Sequence, residues 1–529
     1  MDKNPPAKAP NTGHGAVLVA SGVFLSRIAG LIRDRVFAHY FGNSDAADAF
    51  KAAFRIPNFL QNLFGEGTLS ASFIPVYAKL VAEGNQEEAG RVAGAVIAIL
   101  SLIVSCLVLL GILFTPYLIA VIAPGFTGAK RVLTIQLVRI LFPGAGILVL
   151  SAWCLGILNS HRRFFLSYVA PVFWNAVMIA ALLITGPGRD QYSLAAILAW
   201  ASVAGSALQL LVQWPMAWRL ARHLHIAVNT SLSGVRTVIR NFIPVFFSRG
   251  VVQISGYIDE LIASLLPTGA FAALSYAQTL YLLPVSLFGM SVSAAELPAM
   301  SSALGSPAEV GANLRQRLNR GLQRIVFFII PSIVAFLFLG DVIIAAIYKT
   351  GAFGHQEVIY VWSILAGATV GLLAQTSGRL YASAFYALRD TRTPLRFALI
   401  RVFLTAMGGY IFALHLPGWL GISTRWGVAG LTISSGFASW VELVLLWRAL
   451  NRRIGRTGMA IRKMMRLLLA ALLAAALGYG LKIQLSGWHP IFLAVAVLGS
   501  FGGGYFALCG LGRVPEVMAV VEIVRRRLK

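Results

Sequence analysis

Charged side chains interrupt two stretches of the sequence that are otherwise apolar. The first stretch covers residues 24–79, and the second lies within residues 237–266. A charge at bilayer depth is costly, so it normally faces the interior of a helix bundle or a watery cavity. We therefore interpret both stretches as walls of a polar cavity within a membrane. Their cations are Arg27, Arg33, Lys51, Arg55 and Arg249, and their acids are Asp34, Asp48, Glu66, Asp259 and Glu260.

The arginines in this set are suited to binding phosphate. A guanidinium group stays charged and can donate two parallel hydrogen bonds to a phosphate. The residues expected to surround a doubly charged head group are Arg27, Arg33, Arg55 and Arg249. Two alternatives stay open: Arg33 could reach the membrane interface from a helix end, and Arg249 could pair with Glu260.

The acids allow two interpretations. In the first, they balance the charge of the arginines. In the second, they bind a cation that moves together with the substrate. Asp48, Asp259 and Glu260 fit either role, and the sequence does not decide between them.

Helical periodicity predicts the elements that position these groups. Arg27 and Asp34 are seven residues apart and share a face of a helix over residues 15–40. Six polar residues of a second helix, over residues 47–79, recur at intervals of three or four, which places them on one face. They are Asp48, Lys51, Arg55, Asn58, Asn62 and Glu66.

The composition indicates a membrane protein with many spans. Of the 529 residues 58% are hydrophobic and 12% are charged, whereas a soluble protein has about 25% charged residues. The net charge of +25 comes from basic residues in short loops, a pattern typical of membrane orientation, so no nucleic-acid partner is expected. No enzyme motif, Cys/His cluster or nucleotide-binding loop occurs, so we expect no enzyme, metal or cofactor.

Apolar runs of about 20 residues predict fourteen membrane-spanning helices. The predicted spans are 15–40, 47–79, 91–115, 131–158, 165–186, 192–218, 237–266, 270–302, 322–346, 357–388, 394–415, 425–449, 463–484 and 488–511. Arginine is concentrated in alternate loops, which places both termini in the cytoplasm. Residues 1–14 then form a cytoplasmic arm, and residues 513–529 form a basic cytoplasmic tail.

An internal repeat relates the two halves of the chain. Phe24-Leu25-Ser26-Arg27 recurs as Phe246-Phe247-Ser248-Arg249, and Phe64-Gly65 recurs as Phe288-Gly289. Each period contains six predicted helices, an even number, so both halves have the same orientation in the membrane. We therefore predict two six-helix lobes, 15–222 and 223–450, related by an axis along the membrane normal. The last two helices, within 451–512, are an addition.

Several segments together resemble the MurJ/MviN family of lipid II flippases, which belongs to the MOP exporter superfamily. They include SRIAGLIRD (26–34), DAFKAAFRIPN (48–58), FGEGTLSASFIPVYAK (64–79) and FYALRDTRTPLR (385–396). The resemblance implies fourteen helices around a central cationic cavity. It also implies alternating access that moves an undecaprenyl-pyrophosphate-linked peptidoglycan precursor from the inner to the outer leaflet.

The resemblance carries further expectations about sites, partners and location. It implies functional roles for Arg27, Arg33, Asp34, Asp48 and Glu66, and a groove for the lipid tail in residues 451–512. It further implies a bacterial inner-membrane protein whose substrate is lipid II, with cell-wall synthesis proteins as potential partners. The oligomeric state is left open.

This chain departs from the family pattern at two places. Gln61 and Asn62 stand where relatives have consecutive arginines, and Gln278, Thr279 and Leu282 replace an Asp-Arg pair and a Glu. We expect Arg55, Arg249 or Lys51 to supply the missing positive charge. Three other functions remain open: a flippase for a different polyprenyl-linked glycolipid, an exporter of cationic drugs, and a membrane scaffold that does not transport.

Overall fold

The structure is a computed structural model that describes residues 12–301 and 306–518. Within these ranges, the side chains at 12–18, 20, 66, 248, 251–255, 299 and 307 are left undescribed. The described residues are almost entirely helical, and the β-structure among them is limited to one isolated bridge between Thr350 and Phe353. The prediction of an all-helical membrane protein with many spans is confirmed.

The chain divides into two compact units, Met1–Tyr257 and Ile258–Lys529. The division point lies inside α10, so the predicted lobe boundaries at 222/223 and 450/451 stay predictions. The helices up to this point are α1 (Thr12–Phe41), α2 (Asp45–Phe64), α3 (Glu66–Ser72), α4 (Ile74–Ala82), α5 (Gln86–Leu113), α6 (Thr115–Ile122), α7 (Gly128–Ser160), α8 (Phe164–Thr185), α9 (Gln191–Leu220) and α10 (Ser233–Ser264).

The second unit continues with ten helices among its described residues. They are α11 (Ala270–Pro284), α12 (Ser291–Ser301), α13 (Pro307–Phe338), α14 (Gly340–Tyr348), α15 (His355–Ala387), α16 (Arg392–Tyr410), α17 (Leu416–Trp419), α18 (Gly427–Ile454), α19 (Ile461–Gln484) and α20 (Pro490–Leu511). π-helical turns join α11 to α12 (Val285–Met290) and α16 to α17 (Ile411–His415).

Polar caps begin several of these helices. The side chain of Ser44 accepts a hydrogen bond from the backbone of Ala47 at the start of α2, and Asp190 accepts one from Ser193 at the start of α9. Such caps satisfy backbone N–H groups that have no partner inside the helix. Ser44 and Asp190, which lie between apolar runs of the sequence, therefore fix where these helices start.

Small residues and buried aromatic side chains hold the helices together. The indole of Trp153 on α7 is fully buried and donates a hydrogen bond to the carbonyl of Ala93 on α5 at 3.2 Å. In the second unit α15 and α18 touch at two glycines: a Cβ on Gly371 would lie 2.7 Å from the Cα of Gly436. Close backbone approach at small residues is a common way to pack helices in a membrane.

The two units have the same internal order of packing. In the first, α7 packs against α2, α5 and α9, and α8 packs against α9. In the second, α15 packs against α11, α13 and α18, and α16 packs against α18. These helices correspond one to one in the sequence repeat, so the packing agrees with it. The added helices α19 and α20 pack against each other and against α13 and α14.

The prediction of one continuous helix over residues 47–79 is wrong. The segment consists of α2, α3 and α4, which are separated at Gly65 and Phe73. Gly65 has a ψ of −149°, outside the helical region, and a Cβ at this position would overlap the carbonyl oxygen of Gln61. Gly289, its equivalent in the repeat, lies inside the π-helical turn of the second unit. The periodicity of polar residues continued across Gly65 and concealed the break.

Eleven helical segments among the described residues are long and apolar enough to cross a membrane. They correspond to eleven of the fourteen predicted spans. The remaining three spans are formed by α1, by α2 with α3 and α4, and by α10. These three contain all ten charged residues of the predicted site.

Candidate functional site

Asp34 on α1 is the centre of a buried charge cluster. Its carboxylate is 6% exposed and accepts hydrogen bonds from Nη2 of Arg33 at 3.0 Å and from Nζ of Lys51 at 3.3 Å. The guanidinium of Arg33 also lies 5.1 Å from the ring centre of Trp174. One carboxylate thus joins α1 to α2 and shares two cations, so the cluster keeps a net positive charge.

Asp48 on α2 pairs with a lysine at the start of α7. The carboxylate is 1% exposed and lies 2.5 Å from Nζ of Lys130, which also lies 3.1 Å from Asp45. Lys130 is in the first turn of α7, with its ammonium group 4.3 Å from the ring centre of Phe126. The pair joins the beginnings of α2 and α7. Nothing in the sequence links Lys130 to Asp48.

Arg55 lies two turns after Asp48 on α2 and is half-buried. Its guanidinium carbon is 5.4 Å from the ring centre of Tyr257, whose hydroxyl donates a hydrogen bond to the carbonyl of Arg55 at 3.0 Å. Phe59 contacts the same ring edge-on. Arg55 is therefore held against an aromatic side chain of α10, which limits its freedom to turn toward a ligand.

An open cavity of about 690 Å³ lies in the first unit, next to the break in α2. Its lining is polar and includes Gln61 and Asn62. Arg249 lines the same cavity and forms no ion pair with an acid among the described residues. The described lining consists of Gln61, Asn62, Gly67, Ser70, Ala71, Tyr168 and Arg249.

A glycine makes room for the arginine of this cavity. The guanidinium of Arg249 lies directly against Gly67 on α3, and a Cβ added to Gly67 would overlap its nitrogen atoms. Arg249 is itself exposed. The cavity therefore presents an accessible cation among amide and hydroxyl groups, an arrangement that can bind an anion together with a polyol.

Two of the predicted residues are not part of these clusters. Arg27 is exposed and makes no hydrogen bond or ion pair with a described residue. The partners of Asp34 are Arg33 and Lys51, although the spacing of seven residues put Arg27 on the same face. The side chain of Glu66 lies outside the described part of the structure.

The polar residues of the second unit are mostly paired. The hydroxyl of Ser435 on α18 donates a hydrogen bond to Asp259 at 2.9 Å, and Glu260 is 2% exposed. Arg401 on α16 and Glu442 on α18 form a salt bridge of 2.8 Å. Thr279, at a position where relatives have a charged residue, donates to the carbonyl of Ser275 on its own helix. These contacts satisfy polar groups within the bundle.

Comparison with known proteins tests the resemblance to this family. Residues 37–499 match the family described as "Lipid II flippase MurJ". The chain belongs to the MurJ family. It is 32% identical over 475 residues to the probable lipid II flippase MurJ of Rhizobium tropici, covering 88% of this chain and 86% of that protein. It is also 31% identical to lipid II flippase MurJ of Burkholderia cenocepacia, covering 83% of this chain and 84% of that protein.

Solved structures agree with membership in the MurJ family. A lipid II flippase MurJ in an inward closed conformation matches with a TM-score of 0.75 and 25% identity, covering 94% of this chain and 98% of that one. An inward-facing multidrug resistance MATE family transporter of the MOP superfamily matches with a TM-score of 0.64 at 18% identity, covering 83% of this chain and 98% of that one. The similarity to the MATE family transporter concerns the fold alone. The MurJ family consists of flippases, which transport rather than catalyse.

Proposed function

We propose that this protein moves lipid II, the undecaprenyl-pyrophosphate-linked peptidoglycan precursor, across the bacterial inner membrane. The proposal rests on membership in the MurJ family and on one structural observation. This observation is the open polar cavity of the first unit, in which Arg249 is accessible and has no acid partner among the described residues. An unneutralised cation in a membrane cavity requires an anionic occupant, and a pyrophosphate meets that requirement.

In this proposal Arg249 supplies the charge that Gln61 and Asn62 lack. Its guanidinium binds the pyrophosphate, while the neighbouring amides and the hydroxyls of Ser70 and Tyr168 form hydrogen bonds with sugar hydroxyls. Arg27 is exposed on α1 and joins the binding of the head group as it enters. The acids Asp34 and Asp48 hold α1, α2 and α7 in place rather than bind a coupling cation.

Transport follows from the physical chemistry of the substrate. A large polar head group cannot cross hydrocarbon unaided, whereas its prenyl tail can stay in the lipid. We infer that the head group moves through a cavity that opens to one leaflet at a time, from inner to outer, as the two lobes rock. The two helices within 451–512 provide a groove for the tail, and both termini are cytoplasmic. Assembly with cell-wall synthesis proteins is compatible with this role.

A drug exporter and a non-transporting scaffold are the competing functions. A cavity for cationic drugs needs acids in excess, and the described lining of this cavity contains an arginine and no acid. A scaffold would not need an accessible cation beside Gly67 at all. The charge of the cavity therefore favours a flippase for a polyprenyl pyrophosphate.

Complementation tests this function. The full chain is expressed in cells depleted of their own lipid II flippase, and growth and lipid II at the outer surface are measured. We expect growth to be restored. Failure to grow, with the protein present in the membrane at normal level, would contradict the proposal.

Substitutions of Arg27 sharpen the same experiment. Arg27→Ala should accumulate normally, because the side chain has no partner to lose, yet should fail to support growth. Arg27→Lys should restore growth only partly, since a point charge lacks the planar donor geometry of arginine. Arg452→Ala, in the last turn of α18 at its predicted cytoplasmic end, is the control and should grow normally. Normal growth of Arg27→Ala would remove Arg27 from the binding site.

The orientation has its own test. Single cysteines at Gly188 and Gly418 should react with an impermeant thiol reagent added outside the cell, and cysteines at Asn159 and Gly455 should not. Reaction at all four positions from the outside would contradict cytoplasmic termini.

A further inference from the structure

A second open groove lies on the outer surface of the first unit, between α7 and α9. Its volume is about 510 Å³, and most of its lining is apolar. Three polar side chains also line it: Gln136 and Arg139 on α7 and Trp200 on α9. Trp200 is 60% exposed and Val132 is 66% exposed. Large exposed apolar side chains on helices of this type face lipid, so the groove opens toward the membrane.

The charge of Arg139 has no counterpart in the surrounding helices. Neither α7 nor α9 contains an Asp or a Glu. Among the described residues, Arg139 makes no ion pair or hydrogen bond, and the side chains of Gln136 and Trp200 make no hydrogen bond. An uncompensated cation beside two unpaired polar groups is unfavourable in hydrocarbon. A partner from outside the chain is therefore needed.

The groove contains a cation and two side-chain donors, from Arg139, Gln136 and Trp200. A phosphodiester that carries hydroxyl groups matches this set, because its phosphate accepts from the cation and its hydroxyls pair with the donors. Pro143, four residues after Arg139, also lines the groove, and it supplies no backbone N–H there.

The depth of Arg139 is within reach of lipid phosphates. At a rise of 1.5 Å per residue the 33 residues of α7 span about 50 Å, against about 30 Å for the hydrocarbon layer. If the excess is shared by both ends, the Cα of Arg139, about 16 Å from the start of α7, lies roughly 6 Å below the hydrocarbon surface. An arginine side chain can extend over that distance toward the interface.

We propose that the groove formed by Gln136, Arg139 and Trp200 binds the head group of an anionic phospholipid. The guanidinium of Arg139 pairs with the phosphate, the indole N–H of Trp200 and the amide of Gln136 bind the head group, and the apolar rim receives an acyl chain. This site is separate from the transport cavity and does not depend on the proposed function. Its lipid is a resident of the membrane rather than the transported molecule.

Native mass spectrometry of the purified full chain tests the proposal. The protein is mixed with phosphatidylglycerol or with phosphatidylcholine, and the bound lipid is quantified against concentration. The wild type should prefer phosphatidylglycerol. Arg139→Gln should bind it about tenfold more weakly, because hydrogen bonds to a charged group are among the strongest in proteins. Binding of phosphatidylcholine, whose phosphate is balanced by its own choline cation, should weaken less.

Two further variants separate a specific site from general electrostatics. Arg139→Lys keeps the charge and should retain most of the binding. Arg131→Gln removes an exposed cation from the start of α7, outside the groove, and should bind as the wild type does. Gel filtration verifies that each variant is folded. Thermal unfolding of the protein, measured in phosphatidylcholine, verifies the same.

Three results would overturn the proposal. Arg139→Gln could bind phosphatidylglycerol as the wild type does. The wild type could show no preference between the two lipids. Or the wild type could form a dimer that Arg139→Gln dissociates, in which case a second copy of the chain covers the groove.

Discussion

The two units of this protein treat their buried charges differently. In the first unit Arg33 and Lys51 share one carboxylate, and Arg249 faces an open cavity without an acid. In the second unit Arg401 is paired with Glu442, and Asp259 accepts a hydrogen bond from a serine. The helices that correspond in the sequence repeat pack in the same order in both units. The difference teaches that a shared packing order does not impose a shared pattern of charge: Arg249 is open to a ligand, whereas Arg401 is paired with an acid.

The largest effect on transport should come from removing Arg249, the cation of the open cavity. Arg249→Ala should abolish growth in flippase-depleted cells at normal protein level, because the side chain serves the ligand and no described acid depends on it. Arg249→Lys should restore growth partly. Gly67→Ala is the matched steric variant, since it displaces the guanidinium without removing the charge, and it should reduce transport less than Arg249→Ala. Normal growth of cells with the Arg249→Ala variant would contradict the functional difference between the two units.

The second effect concerns the pair between Asp48 and Lys130. Removing one partner of a buried ion pair typically costs about 3 kcal/mol, because the other charge stays buried alone. Asp48→Asn should therefore lower the free energy of unfolding by about that amount, and the Asp48→Asn/Lys130→Gln double variant should recover part of it. Thermal unfolding in detergent measures both. If the two single effects simply add, the residues are not coupled.

The salt bridge of the second unit should matter less. Arg401 and Glu442 have side chains 27% and 21% exposed, so the pair is less buried than Asp48 and Lys130 and its loss should cost less, about 1 kcal/mol. Glu442→Gln should thus be slightly less stable in the same unfolding measurement and should still support growth. Loss of growth at normal protein level would show that the second unit also uses its charges in transport.

The smallest effect is a dependence on pH in the connection between α15 and α16. Hydrogen bonds from the backbone N–H and hydroxyl of Thr393, with Arg453 nearby, lower the pKa of Asp390 to about 2. A lowered pKa stabilises the fold above the ordinary aspartate value, and this stabilisation disappears as the pH falls from about 4 toward 2. The contribution of Asp390 should therefore be constant above about pH 5. Asp390→Asn should reduce the difference in melting temperature between pH 5 and pH 3.

Much of this architecture can be predicted from sequence, because long apolar runs determine membrane helices and a repeat determines their order. The charged candidates could also be selected, since a charge in an apolar segment stands out. The contacts between these charged residues could not be predicted. Asp48 and Lys130 are 82 residues apart, and helical periodicity relates only residues of one helix. The cavity at Arg249 likewise depends on a break at Gly65 that the pattern of polar residues conceals.

That break has a consequence for the history of the protein. Gly65 ends a helix in the first unit, and its repeat equivalent, Gly289, lies in a π-helical turn of the second. Both glycines also avoid a collision: a Cβ would meet the carbonyl of Gln61 in one case and would come within 3.0 Å of Thr376 in the other. Two independent origins of an irregular backbone at matching positions would be a coincidence. We infer that the ancestral half-protein already contained this glycine. Duplication then placed it, with its irregular backbone, in both halves.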